Sequence, residues 1–349
     1  MTSTWQQSSA NEGVTTACVH GLAVMRRSAL RAVGGVGIVA AGLAVAGLGT
    51  GPRHLEIVHQ TVTIPSLPPA WEGLRIAHLS DFHVGERNVS KPMLLRARRA
   101  VEAWQPDIVA FTGDYFHDGR MVPDDGLFGN WSARIGTFAV LGNHDVRAGE
   151  AACAQIIARL EAGGVTLLRN SALALEREGQ SIWIAGVDDP HTWHSDVEQA
   201  FAGVPPAEDV LLLLAHSPAV IRDVPLGRVR LTLCGHTHGG QVRVTRSGQI
   251  PGLKVVRRLV RDTMLRNEPQ VFRGWHWLRG GLLLVSNGVG VSRVPARLFS
   301  RPQVHLLELT AQGQNLGRGC DDPQRYLCRS GGVRFRISTR LTSLRSATN

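Results

Sequence analysis

Five short apolar runs each end in residues able to bind a cation or move a proton, and this repetition constrains the chain more than any other feature. Leu74-Arg75-Ile76-Ala77-His78-Leu79-Ser80 runs into Asp81-Phe82-His83. Asp107-Ile108-Val109-Ala110-Phe111 leads through Thr112 to Gly113-Asp114. Thr137-Phe138-Ala139-Val140-Leu141 leads to Gly142-Asn143-His144-Asp145. Val210 to Leu214 delivers Ala215-His216-Ser217, and Val229 to Cys234 delivers Gly235-His236-Thr237-His238-Gly239-Gly240. Short continuous apolar runs read as buried strands. Open α/β sheets collect their binding groups beyond the carboxyl ends of such strands.

Singly, each motif is ordinary. Gly113-Asp114 and Gly142-Asn143 read as turns, and His216 alone reads as a satisfied buried histidine. Together they supply carboxylate, imidazole and amide without thiolate, a donor set suited to Mn, Fe or Zn. The glycines around His236 and His238 let a backbone approach closely.

Asp81-x-His83, Gly113-Asp114, Gly142-Asn143-His144-Asp145, His216 and Gly235-His236-Thr237-His238, in this order, resemble the motifs of the calcineurin-like metallophosphoesterases. The resemblance spans residues 74 to 308. It implies a metallophosphoesterase-type α/β fold, an αββα sandwich of two facing mixed sheets flanked by helices. It also implies two divalent metal ions, with Mn foremost and Fe or Zn as alternatives. Asp81, His83 and His238 would hold the first ion. Asn143, His216 and His236 would hold the second, and Asp114 would bridge both. His144 would face the substrate as an acid, with Asp145 orienting its ring and raising its pKa.

Such a pair clamps the attacking and leaving oxygens of an in-line displacement at phosphorus, and it makes hydroxide available near neutral pH. One departure from the family pattern stands in the second motif. There Tyr115-Phe116-His117-Asp118 replaces an expected acidic or amide residue, and His117 and Asp118 are read as solvated loop.

The ends differ from the middle. Residues 1–53 carry Arg26, Arg27 and Arg31 ahead of an uncharged run from Ala32 to Pro52, the pattern of a signal or anchor segment. Met25-Arg26-Arg27-Ser28-Ala29-Leu30 resembles a twin-arginine export signal, with Ala29 at the usual Phe position, and Ala44-Val45-Ala46 fits a cleavage site. Arginines before the apolar run place the catalytic domain outside an inner membrane, on the periplasmic side, whether anchored or exported. A cytoplasmic face is the alternative. Residues 54–317 are expected to form the catalytic domain. Residues 318–349, rich in Arg and Ser, read as a flexible basic tail, in which pairing of Cys320 with Cys328 is left open.

Net charge is +10, but residues 1–53 hold +3 (four Arg against Glu12) and residues 318–349 hold +5 (seven Arg against Asp321 and Asp322). Only +2 remains on the catalytic segment, which disfavours nucleic acid as a partner. A local exception is Pro251 to Gly280, where Lys254, Arg257, Arg258, Arg261, Arg266, Arg273 and Arg279 alternate with apolar residues that include Trp275 and Trp277. That composition suits either anionic lipid headgroups or an insertion packed on the sheet.

Helices are expected over Met93–Trp104 and Ala151–Ala162, and further short strands over Thr166–Arg169, Ser181–Ala185, Leu282–Ser286 and Val304–Leu309. Within the family the chain resembles bacterial membrane-associated phosphodiesterases, some of which cleave the pyrophosphate of UDP-diacylglucosamine in lipid A synthesis. A membrane-associated hydrolase of a phosphorylated, lipid-linked small molecule is the expectation. A nucleotide or nucleic-acid phosphodiesterase and a non-catalytic scaffold of the same fold are the alternatives.

Overall fold

The computed structural model describes residues 54–85, 91–117, 126–240, 271, 273–292 and 297–311, with the backbone of 329–330, 333–334 and 337–343. The segment 1–53, the basic run 251–270, Asp118, Cys320 and Cys328 lie outside those residues.

Two sheets form the centre. The first contains β1 (Glu56–Thr63), β2 (Leu74–Leu79), β3 (Ile108–Thr112), β4 (Gly136–Val140), β5 (Val165–Leu167), β12 (Gln303–Thr310) and β15 (Ile337–Ser343), ordered β15-β1-β12-β2-β3-β4-β5. The second contains β6 (Ser171–Arg177), β7 (Gln180–Val187), β8 (Val210–Ala215), β9 (Val229–Cys234), β10 (Gly274–Leu278) and β11 (Gly281–Val285), ordered β10-β11-β9-β8-β7-β6. A separate ribbon pairs β13 (Arg329–Ser330) with β14 (Val333–Arg334).

Both sheets are mixed. β2 to β5 run parallel, whereas β12 is antiparallel to β2. β7, β8, β9 and β11 run parallel, and β6 and β10 close the edges as antiparallel partners. All five motif-bearing strands therefore lie in parallel stretches, and their carboxyl ends carry the candidate ligands.

Strand alternation explains the layering. Leu74 and Ile76 of β2, with Ala110, Phe138 and Val140, pack against Ile184, Leu212, Leu214, Leu231 and Leu233 of the second sheet. Ala77 and Leu79, from the other face of β2, pack beneath α1 (Lys91–Trp104) and α3 (Glu150–Ala162), with Val146 of the short α2 (Asn143–Arg147) against the same cluster. α1 buries Met93, Leu94, Ala97 and Val101, a stripe along one helix face. It stops at Trp104, since Gln105 precedes Pro106, which disfavours the helical region there; Gln105 takes φ 53°. α4 (Val197–Phe201) lies with the outer cluster of the second sheet.

Six strands escape the sequence reading. β1, β6 and β10 were not expected, and β13, β14 and β15 lie in the segment read as a flexible tail. The run Ile337-Ser338-Thr339-Arg340-Leu341-Thr342-Ser343 pairs antiparallel with β1 and satisfies the backbone groups of an otherwise open edge. Trp275 also departs from the lipid-interface alternative: on β10 its side chain is buried in the core between the sheets, with Trp277 packed beside it.

Candidate metal centre

Every candidate ligand lies just past a carboxyl strand end, Asn143 as the first residue of the short helix Asn143–Arg147, and the backbone there is unusual. Asp81 (φ 54°), His83 (φ 45°), Asp114 (φ 57°), His236 (φ 67°) and His238 (φ 50°) all occupy the left-handed region. For residues other than glycine such conformations cost on the order of 1–3 kcal/mol each and cluster at functional sites. The loops also lock together. Gly113 takes φ 85°, and a Cβ on it would drive into the backbone of Leu141 and Gly142. Only glycine lets these two turns pack backbone to backbone.

The first group of donors contains Asp81, His83 and His238. His83 Nε2 lies 3.0 Å from His238 Nε2 and 3.3 Å from Asp114 Oδ2, and His238 Nε2 lies 3.4 Å from Asp81 Oδ1. The second group gathers around His216 Nε2, which lies 3.2 Å from Asn143 Oδ1, 3.2 Å from Asp114 Oδ2 and 3.2 Å from His236 Nδ1. Asp114 Oδ2 thus faces both groups. Its Oδ1 accepts the His144 backbone N–H at 2.9 Å. All seven side chains come together.

Electrostatics fits a cation. Asp81, Asp114 and His83 are fully or nearly fully buried. Burial raises the Asp81 carboxyl to about 6, against the pull of His216. Burial also tends to raise Asp114, but the imidazoles of His216 and His83 outweigh it and hold the carboxyl well below its usual range. His83 is pushed down to about 3, chiefly by burial. His216 would be lowered by burial, yet Asp114, Asp81 and Asp189 around it raise its pKa well above normal. His216 Nδ1 lies 2.6 Å from the Thr112 carbonyl. Donation there directs the Nε2 lone pair into the pocket, the usual arrangement behind a metal-binding imidazole. Carboxylates and imidazoles crowded into one buried spot, with a proton on His216 that a cation would displace, are the chemistry of a divalent cation site.

His144 stands at the rim, half-buried, its ring 4.8 Å centroid to centroid from His83 and 5.5 Å from His117. Its pKa is lowered, first by burial, against opposing contributions from Asp114 and a hydrogen bond to the His117 backbone. Asp145 is employed differently from the sequence expectation. Its Oδ2 accepts the backbone N–H of Asp114 at 2.8 Å and of Gly142 at 2.8 Å, and its Oδ1 accepts that of Tyr115 at 2.9 Å. Those bonds fasten the two loops to each other, and the His144 ring is flanked by Asp114 and His117 instead.

Three residues that sequence reasoning missed join the site. His117, read as solvated loop, is half-buried with its ring 5.7 Å from that of His83. Its departure from the second motif was the one available signal. Arg297 is 1% exposed and sends Nη2 to within 3.3 Å of His238 Nδ1, while donating to the carbonyls of Asn287, Gly290 and Ser300. No spacing marks it. Asp189, at the end of β7, lies with His216 and His236, and nothing in Val187-Asp188-Asp189-Pro190 distinguishes it from a turn.

Fold and site define a calcineurin-like phosphoesterase: that family's model matches residues 74–240, and the chain belongs to this family of phosphoester hydrolases, which use divalent metals. It is 30% identical over 241 residues to the uncharacterized metallophosphoesterase YkoQ of Bacillus subtilis (strain 168), covering 68% of this chain and 83% of that protein. It is 29% identical over 245 residues to the phosphodiesterase YaeI of Escherichia coli (strain K12), covering 67% of this chain and 82% of that one. A transmembrane protein with a metallophosphoesterase domain from Danio rerio shares 31% over 219 residues, 59% of this chain and 49% of the relative.

Proposed function

We propose that the chain hydrolyses a phosphodiester or pyrophosphate bond with the help of two divalent cations, Mn foremost. Asp81, His83 and His238 hold the first, Asn143, His216 and His236 the second, and Asp114 is shared. The observation that carries this reading is Asp114 Oδ2, 3.3 Å from His83 Nε2 and 3.2 Å from His216 Nε2, between two sets of donors. When bound, the cations supply Lewis acidity and an activated water.

The chain's own groups do the rest. His144, open at the rim, contacts the leaving oxygen and supplies its proton, a role typically worth about 10²–10⁴ in rate. Burial lowers its pKa in the free protein; the negative charge of an arriving phosphate favours the protonated form again. Asp145 keeps the Asp114 and Asn143 loops in register and does not touch substrate.

For the substrate we favour a lipid-linked diester or pyrophosphate of the UDP-diacylglucosamine type, with the domain at a membrane. Three features support this: the uncharged run Ala32–Pro52 behind Arg26, Arg27 and Arg31, the near-neutral catalytic segment, and the resemblance to membrane-associated phosphodiesterases. The arginines favour the outer face. Among the described residues no helix is long and apolar enough to cross a membrane.

Hydrolysis of bis-p-nitrophenyl phosphate, stimulated by Mn, tests the reaction. A fully metal-loaded wild type without turnover would leave a scaffold. A reporter fused after residue 310 tests which membrane face the domain occupies.

A further inference from the structure

The loop after β7 carries two adjacent carboxylates with opposite fates. Asp188 turns to Arg169, whose Nη2 donates to it at 2.8 Å. Asp189 turns inward and is fully buried. Its Oδ1 accepts the His191 backbone N–H at 2.6 Å and caps the short turn Pro190–Thr192. Its Oδ2 is buried with no hydrogen-bond partner. A buried carboxylate oxygen with no donor is costly and rarely left so.

The Asp189 carboxylate borders the candidate site. Asp189, His216 and His236 each offer a ligand atom, and the three lie within 4.8 Å of one another. His216 and His236 are two of the donors assigned above to the second cation. Resting on that two-cation reading, we propose that Asp189 is a further ligand of the second cation, through Oδ2.

Charge supports the assignment. The first cation has its own carboxylate, Asp81, beside the shared Asp114. Asn143, His216 and His236 are neutral as ligands, so the second has none unless Asp189 supplies it. With Asp189 its donors become Asp114, Asn143, His216, His236 and Asp189, and the two sites carry matched charge. A second carboxylate also shifts the preference of that position towards harder, oxygen-seeking ions.

Asp189→Asn keeps the side-chain volume and the Oδ1 acceptor for His191. The full chain, freed of metal, is titrated with Mn²⁺. Bound metal is read by mass spectrometry after equilibrium dialysis, and spin coupling by electron paramagnetic resonance. Wild type is expected to bind two ions that couple. The variant is expected to keep the first and bind the second at least about 10–100-fold more weakly, the loss that even an outer partner of a ligand causes, with the coupled signal lost. Two coupled ions of wild-type affinity in the variant would overturn the assignment. A wild type that binds no coupled pair would instead sink the two-cation reading itself. If the variant fails to fold, a crystal structure of Mn-loaded wild type decides. Asp189 Oδ2 is expected about 2.0–2.2 Å from the second ion, as for other carboxylate ligands, and an Oδ2 outside bonding distance overturns the proposal.

Discussion

Asp145 accepts the backbone N–H of Asp114 at 2.8 Å, so one buried carboxylate sets the position of another. Burial raises the Asp145 carboxyl to about 7, with the Asp114 charge adding to the effect, which is tolerable because three N–H groups converge on it. Asp145→Asn replaces one acceptor oxygen with a donor aimed at those N–H groups. We expect a loss of about 1–3 kcal/mol in stability for each bond left unmade, together with weaker metal binding. Thermal melts with and without Mn check it, and wild-type melting in both would remove Asp145 from this role.

His144→Ala is expected to cut kcat by about 10²–10⁴ while leaving metal content intact. The effect should be smallest with p-nitrophenolate, whose departure needs no proton, and grow with poorer leaving groups. Equal losses across a leaving-group series would contradict the acid role.

Metal affinity should depend on pH with a definite sign. Asp81, raised to about 6 by burial, holds a proton below that pH, and His216 is raised well above its normal value. Both protons must leave before a cation enters, so affinity falls by about tenfold per pH unit wherever His216 carries its proton, and more steeply once pH drops below about 6 and Asp81 takes one too. Mn titrations from pH 5 to 8 provide the check; a flat profile would mean that the ligands are already deprotonated.

Arg297 should matter although it lies outside the ligand set. Its positive charge joins burial and His83 in lowering the His238 pKa, which keeps that ring neutral as a ligand must be. Arg297→Lys cannot reach all the carbonyls of Asn287, Gly290 and Ser300. We expect destabilisation of about 1–3 kcal/mol per abandoned acceptor and about 10–100-fold weaker binding at the first site. Denaturant unfolding of the metal-free chain, paired with Mn titration, separates the two effects.

The five motif strands were legible because each is a continuous apolar run, and the ligands were legible because each stands immediately after one. α1 and α3 were legible from an apolar stripe and from Gly163-Gly164. β1 and β6 were not: Glu56–Thr63 mixes polar and apolar residues without a strict period, Ser171–Arg177 offers only a short Ala-Leu run, and both lie near or at sheet edges, so their signal is short and weak. β15 depends on the open edge of β1, a partner nearly three hundred residues away in sequence. The roles of Asp145, Asp189 and Arg297 are set by backbone groups of distant segments, which no local spacing encodes. Asp145 was singled out, but the bonds it makes are to loop N–H groups and not to its neighbour's ring.

The facing turns at Gly113 and Gly142 carry a further implication for how the centre could be altered. Asp114 follows one and Asn143 the other, and a side chain on Gly113 would separate them. The distance between the shared aspartate and the asparagine is therefore fixed by main-chain contact. Exchanging the side chains at these two positions would leave that spacing as it is; remodelling the glycine contact would change it.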